Sequence, residues 1–121
     1  MILGAGQIVA GYPFLARRFR RIPLCDVRAV EQACQRADEL AGGNVEHEPA
    51  AIFLAFTERK WAFPFAWRLM ACHLAMAQAR HDGLLLAASY DDLGALCLEA
   101  SNRRQGWAEV RDWFTARQRA R

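Results

Sequence analysis

The segment of residues 64–81 limits the possible folds more than any other part of this sequence. Leucines, methionines, alanines and a cysteine recur there at helical spacing and would cover almost every face of an α-helix. A helix that is apolar all round must be buried by its neighbours. We therefore predict a central helix over residues 64–81 that ends at Asp82-Gly83, with the other helices packed around it.

Two helices are predicted near the start of the chain. The first covers residues 7–21, is bent or broken near Pro13, and is ended by Pro23. The second begins with Asp26 as its N-cap, because apolar residues follow it at helical spacing. It closes at Gly42-Gly43, as a left-handed C-terminal cap requires.

The third and fifth helices flank the central segment. The third begins near Glu48-Pro49, is apolar on all faces over residues 50–56, and returns to water over residues 57–60. After an extended run at residues 84–86, the S-x-x-D pattern of residues 89–92 predicts a capping box at the start of the fifth helix.

A polar turn at residues 102–106 precedes the last predicted helix, residues 107–117. This helix would bury Trp107, Val110 and Phe114, and its end would fray into an arginine-rich tail. The pattern shows no convincing strand, repeat or linker. It therefore predicts a single all-α domain over residues 1–121, a compact bundle of about six helices around a central hydrophobic helix.

The composition excludes several classes of protein. Apolar residues make up 54% of the chain, which argues against disorder. The net charge of +3 is too small to indicate nucleic-acid binding by itself, and the apolar start of the chain is shorter than the roughly 20 residues of a membrane span. The four cysteines have spacings that fit neither zinc nor a disulfide framework. We therefore expect reduced, buried thiols in a cytoplasmic protein.

Three blocks follow one another in an order that a known family shares. Residues 26–33 read D-V-R-A-V-E-Q-A, residues 50–60 form a buried helix that leads into a loop, and residues 84–114 combine an extended run with two helices. With Asp82-Gly83 after the central helix, the chain resembles the Doc (death-on-curing) branch of the Fic superfamily, the toxins of bacterial, phage-type toxin–antitoxin modules. The resemblance covers about residues 26–115 and implies a Fic/Doc-like helical fold.

The resemblance also implies where the active site should be. The family motif, H-x-F-x-[DE]-[GA]-N-[KR]-R, holds a histidine base, an acidic metal ligand and groups that grip phosphate at a helix N-terminus. Residues 61–68 read W-A-F-P-F-A-W-R instead. One alignment, in which the Gly-Asn pair of the motif is missing, puts Phe63 at the histidine position. Another, without a gap, puts Trp61 there, and both put Arg68 at a basic position. Because neither aromatic side chain can act as a base, the resemblance implies a degenerate active site.

Five residues of this segment are candidates for binding. Arg68 would bind a phosphate or an acidic residue of a partner, unless it is a surface arginine that extends from an apolar helix into water. Trp61, Phe63, Phe65 and Trp67 alternate along the segment. They either fill the vacated active-site cleft as core residues or form an exposed aromatic surface for a protein partner.

The remaining titratable and basic residues predict no metal site. We expect His73 to be buried and hydrogen-bonded, and His81 to lie at a helix C-terminus, where its positive charge suits the dipole. His47 stands between two glutamates that are too close in sequence to converge easily on one ion. The arginine clusters at residues 17–21 and 117–121 favour solvated helix ends over contacts to nucleic acid.

We therefore expect a Doc-like protein of a toxin–antitoxin module that has lost the transferase activity and binds a protein partner, an antitoxin or another protein. We expect no cofactor and no membrane association. Two alternatives stay open. One is an active phosphotransferase or nucleotidyltransferase with a rewired site that uses Arg68 and a histidine, and would bind a nucleotide. The other is a small helical protein that binds nucleic acid through its basic ends.

Overall fold

A computed structural model of the protein describes residues 1–18, 25–103 and 105–120, without the side chains of residues 12–18. In chain order its main elements are α1 (Ala5–Arg18), α2 (Val27–Ala41), α3 (Glu48–Glu58), α4 (Trp67–His81), β1 (Leu84–Leu86), α5 (Tyr90–Ser101), α6 (Trp107–Thr115) and β2 (Gln118–Ala120). Short 3-10 turns flank α3 at Val45–His47 and Lys60–Ala62. The predicted all-α bundle is confirmed.

The ends of α2 follow the local sequence signals. The carboxylate Oδ1 of Asp26 accepts a hydrogen bond of 3.2 Å from the Ala29 N–H, which satisfies a donor of the first turn. Gly42 adopts a left-handed backbone with φ of 59°, and its N–H donates to the Asp38 carbonyl. Glycine adopts this conformation without steric strain, so the predicted start and end of α2 are confirmed.

The centre of the bundle is α3, and the prediction that α4 holds this position is wrong. Every residue of α3 from Glu48 to Thr57 is buried, and the helix packs against α2, α4, α5 and α6. Residues 49–56 include no polar side chain, so no face of α3 requires water. In contrast, α4 exposes Arg68 and Arg80, and it buries only the face that packs on α3, α5 and β1.

The start of α4 also differs from the prediction, because the helix begins at Trp67 rather than at Pro64. Residues 63–66 form a turn in which the Ala66 N–H donates to the Phe63 carbonyl at 3.1 Å. The ring of Phe63 stacks on Phe56, with 5.9 Å between centroids. Burying this ring against α3 takes the chain out of the helical path that local spacing favours.

The expectation of no strand is wrong for two short segments. β1 pairs antiparallel with β2, with Leu85 opposite Arg119, and the Ala87 N–H donates to the Arg117 carbonyl at 2.7 Å. The C-terminal segment is therefore paired rather than frayed. Extended backbone needs hydrogen-bond partners, and the partner of residues 84–86 lies more than 30 residues later in the chain.

The described residues also test several smaller predictions. The α6 helix buries Val110 and Phe114, but Trp107 is only half-buried. Thr57 is buried rather than returned to water, because its hydroxyl donates to the Phe53 carbonyl at 2.9 Å. The predicted end of the first helix at residue 21, and Pro23, lie outside the described residues. Within the described part of the chain, no helix has the length and apolarity to cross a membrane.

Candidate functional site

The connector, residues 59–69, leads from the end of α3 into α4 and separates its side chains into two groups. Ala62, Phe63 and Ala66 face the core and are buried. Trp61 is 55% exposed and Phe65 is 62% exposed. Exposed apolar side chains that form a contiguous patch are typical of binding surfaces. The connector therefore anchors α4 with one group and presents the other to solvent.

Phe63 belongs to the core and not to the candidate surface. Its side chain is 1% exposed, and its ring lies nearly parallel to that of Phe56, with 27° between the planes. The aromatic run is therefore divided, with Phe63 in the core and Trp61 and Phe65 exposed. The run separates because a 3-10 turn and a second turn break it, so successive aromatic residues point in different directions.

Trp67 and Arg68 extend the exposed group onto the first turn of α4. Trp67 is half-buried, and the Lys60 ammonium lies 4.6 Å from the centroid of its ring, a cation–π contact. Arg68 is exposed and forms no salt bridge within the described residues. We call Trp61, Phe65, Trp67 and Arg68 the aromatic surface. Phe65, Trp67 and Arg68 line a shallow cavity of about 380 Å³ there.

A second concavity, of about 750 Å³, adjoins the aromatic surface at Trp61. We call it the basic cleft, after the four basic residues that line it within the described part of the chain. These residues are Arg36, Arg59, Lys60 and Arg103. The side chains come from α2, the connector and the turn between α5 and α6. Trp107 lines the cleft as well, so the cleft carries aromatic and cationic groups together.

The charges of the basic cleft do not balance. Among its described lining residues the only carboxylate is Glu58, which lies 3.4 Å from Arg36 and 3.6 Å from Arg59. One carboxylate is thus shared by two guanidinium groups, while Lys60 and Arg103 have no carboxylate partner within the described residues. The cleft keeps an excess of positive charge that an anionic group would neutralise.

The basic cleft was not predicted from the sequence. Its four cations lie at positions 36, 59, 60 and 103, too far apart to form a motif. The turn that carries Arg103 gives a partial signal, since residues 102–106 read as a polar turn. Arg103 itself adopts a left-handed backbone with φ of 59°, which is uncommon outside glycine, asparagine and aspartate.

The three histidines lie away from Arg68. His47 packs edge-on against Trp107, with 6.3 Å between ring centroids, and His81 is exposed in the last turn of α4. His73 is half-buried, and its Nδ1 lies 3.5 Å from the Tyr90 hydroxyl. Burial lowers the pKa of His73, so its neutral form is favoured. No hydrogen bond within the described residues joins a histidine to Arg68.

Two of the buried cysteines, Cys34 and Cys72, are poor nucleophiles. Cys72 and Cys97 are buried between α4 and α5, and the Thr57 hydroxyl lies 3.4 Å from the Cys97 sulfur. A hydrogen bond to Cys97, together with burial, raises the pKa of the Cys72 thiol far above its usual range. Burial likewise raises the pKa of Cys34 to about 11. Because the thiolate is the reactive form, these thiols pack as small apolar groups.

A buried polar cluster lies at the other end of α4. The Gln78 side-chain amide donates to the Met1 carbonyl at 2.9 Å and to Asp82 at 3.0 Å, and it accepts from the Leu3 N–H at 2.8 Å. The Met1 amino group lies 2.7 Å from a carboxylate oxygen of Glu48, and burial raises the pKa of this glutamate. This cluster ties the first residues of the chain to α3 and α4, which is a structural role.

The described residues hold no group of three or more histidine, cysteine or acidic side chains that could bind a metal ion. Comparison with known proteins yields no relative, since no family model matches the chain and no curated protein matches its sequence. The site must therefore be interpreted from its own chemistry: an exposed aromatic surface beside a basic cleft.

Proposed function

We propose that this protein is a Doc-like member of a toxin–antitoxin module that binds a protein partner through the aromatic surface and does not catalyse group transfer. The observation that carries this proposal is the exposure of Trp61 and Phe65 in the segment where the family holds its catalytic motif. Tryptophan and arginine are enriched at the energetic centres of protein interfaces, and both occur here.

The difference in burial between Trp61 and Phe63 favours one of the two alignments of this segment with the family motif. A residue that acts on a substrate must reach the surface, and Trp61 is 55% exposed whereas Phe63 is 1% exposed. The alignment with Trp61 at the histidine position is therefore the better one. It also places Phe65 at the acidic position and Ala66 at the glycine position. An indole and a phenyl ring thus stand where a base and a metal ligand would act, and neither can exchange a proton at neutral pH.

The chemistry of the surface indicates the kind of partner. Trp61, Phe65 and Trp67 offer apolar area, and Arg68 offers a guanidinium that can bind a carboxylate in two hydrogen bonds. An amphipathic helix with apolar residues and one acidic residue on the same face would satisfy both. An antitoxin segment in a groove near the active-site loop, as the family resemblance implies, has this form.

A binding experiment with the product of the neighbouring gene tests the proposal. The two proteins are co-expressed, purified and titrated by calorimetry. We expect the Trp61→Ala/Phe65→Ala variant to weaken binding by at least tenfold, since truncation of central aromatic residues costs about 2 kcal/mol or more. The matched control is Tyr90→Ala/Leu98→Ala, which removes two exposed large side chains from α5. An equal loss in the control, or no binding at all, would contradict the proposal.

A second assay addresses the enzymatic alternative. The protein is incubated with a translation extract and ATP labelled at either the α- or the γ-phosphate. We expect no labelled product, because no base stands beside Arg68. Transfer of label that disappears in Arg68→Ala would establish the rewired transferase instead and refute the non-catalytic function.

A further inference from the structure

The basic cleft lies beside the aromatic surface, because the ammonium of Lys60, which lines the cleft, lies 4.6 Å from the centroid of the Trp67 ring. We propose that the basic cleft receives an acidic segment of the same protein partner that covers the aromatic surface. This inference rests on the proposed function and adds the chemistry of a second contact. The partner would then carry a cluster of aspartate or glutamate residues next to its apolar helix.

The size of the cleft fits a short peptide segment. Its volume of about 750 Å³ lies within the range of about 300–1,000 Å³ that is typical of ligand sites. The cationic groups come from α2, the connector and the turn after α5. Arg36 and Arg59 converge on Glu58, so an acidic segment would meet Lys60 and Arg103 as the cations that have no carboxylate partner within the described residues.

The carboxylate of Glu58 lies among the cations and already pairs with Arg36 and Arg59. Acidic side chains could approach Lys60 and Arg103 and leave those two pairs intact. The net charge of +3 provides little attraction for a long polyanion such as a nucleic-acid strand.

Arg103 is the best residue for testing the cleft. It is exposed, it lies in the turn between α5 and α6, and it forms no salt bridge within the described residues. Its left-handed backbone allows Arg103→Asn, because asparagine tolerates this conformation. The variant therefore removes the charge and leaves the turn intact. Lys60→Gln provides a second variant on another wall of the cleft.

The probe is a decaglutamate peptide, which is titrated at low salt into protein labelled with nitrogen-15. The indole N–H signals of the tryptophans are followed by NMR. We expect the signals of Trp61 and Trp107 to shift. We expect Arg103→Asn and Lys60→Gln each to weaken binding by about two- to fivefold, the size of one exposed ion pair. The matched control is Arg80→Asn, which removes an exposed positive charge from the last turn of α4, outside the cleft. This variant should bind like the unmodified protein.

Three results would overturn the inference. Decaglutamate could leave both indole signals unmoved, or Arg80→Asn could weaken binding as much as Arg103→Asn, which would show a non-specific charge effect. Tighter binding of pyrophosphate or of a ten-nucleotide oligothymidylate than of decaglutamate would assign the cleft to phosphate ligands. In each of these cases the calorimetric test of Trp61 and Phe65 still stands, so failure of the cleft and failure of the aromatic surface are distinguishable.

Discussion

Helices α4 and α5 are held at their first residues by different kinds of interaction. At the start of α5 the Asp92 N–H donates to the Ser89 hydroxyl at 3.1 Å, and the Ser89 N–H donates to the Asp92 carboxylate at 3.2 Å. This reciprocal capping box gives hydrogen-bond acceptors to two backbone N–H groups within four residues. The start of α4 has Ala66 at the N-cap, and its methyl group cannot accept a hydrogen bond. Packing of Phe63 on Phe56 holds that end instead.

The difference shows how a site can be kept open on a stable scaffold. The side chains of Ser89 and Asp92 each accept a hydrogen bond from the other residue's backbone N–H, so few polar groups at the start of α5 are available to a ligand. The start of α4 is anchored from below by an apolar ring, which leaves Phe65 and Arg68 exposed to solvent. The start of α4 is thus held in place without using the exposed side chains of the aromatic surface.

Removing the apolar anchor should have the largest effect. Phe63→Ala deletes a ring that is 1% exposed and leaves a cavity beside Phe56, so we expect a loss of about 3–5 kcal/mol in the free energy of unfolding. Urea denaturation measures this loss. The matched control is Phe65→Ala, the same chemical change two residues later at an exposed position. Similar losses in both variants would show that the connector does not separate its aromatic residues into two groups.

Removing the polar anchor should have a smaller effect. Ser89→Ala takes away the acceptor for the Asp92 N–H, and N-cap substitutions of this kind cost about 0.5–2 kcal/mol. Thermal and urea unfolding measure the change, with Ser101→Ala at the other end of α5 as the control. A change in stability no larger than that of the control would mean that packing of α5, rather than its cap, fixes where the helix begins.

The same cap makes a pH-dependent contribution. Hydrogen bonds from Ser89 hold the pKa of Asp92 below its ordinary value of 3.8. A carboxylate whose pKa is lowered by folding stabilises the native state at pH values above its unfolded pKa, and this contribution is lost as the pH falls through the folded value. We therefore expect Asp92→Ala to be less stable than the unmodified protein at neutral pH. The difference should shrink as the pH falls below 3.8, as urea midpoints at neutral and acidic pH would show.

The two helix starts also show what could be predicted from the sequence. The start of α5 follows from four consecutive residues, and the start of α2 follows from Asp26 and the apolar spacing after it. The start of α4 depends on a contact between Phe63 and Phe56, which belong to different elements. Local spacing favours helix from Pro64 onward. The burial of Phe63 in the core overrides this preference, and no pattern within the connector reveals it.

Only the part of the candidate site whose residues are close in sequence could be predicted. Arg68 and the aromatic run stand out as a departure from the family motif, so their segment could be identified. Which rings are buried depends on how the connector turns over α3. The basic cleft depends on bringing Arg36 beside Glu58 and placing Arg103 across from them, through the packing of α2, α3 and α5. The β1–β2 pair was missed for the same reason, since its strands are distant in sequence.

The smallest effect on stability should come from the exposed ring. Phe65 is 62% exposed, so Phe65→Ser removes little buried area, and we expect the free energy of unfolding to change by no more than about 0.5 kcal/mol. Urea denaturation alongside Phe63→Ala measures both on one scale. A loss above about 1 kcal/mol would mean that Phe65 packs on the fold, and its exposure would no longer indicate a partner. An unchanged stability, combined with weaker binding to the neighbouring gene product, would show that this ring serves contact with a partner rather than folding.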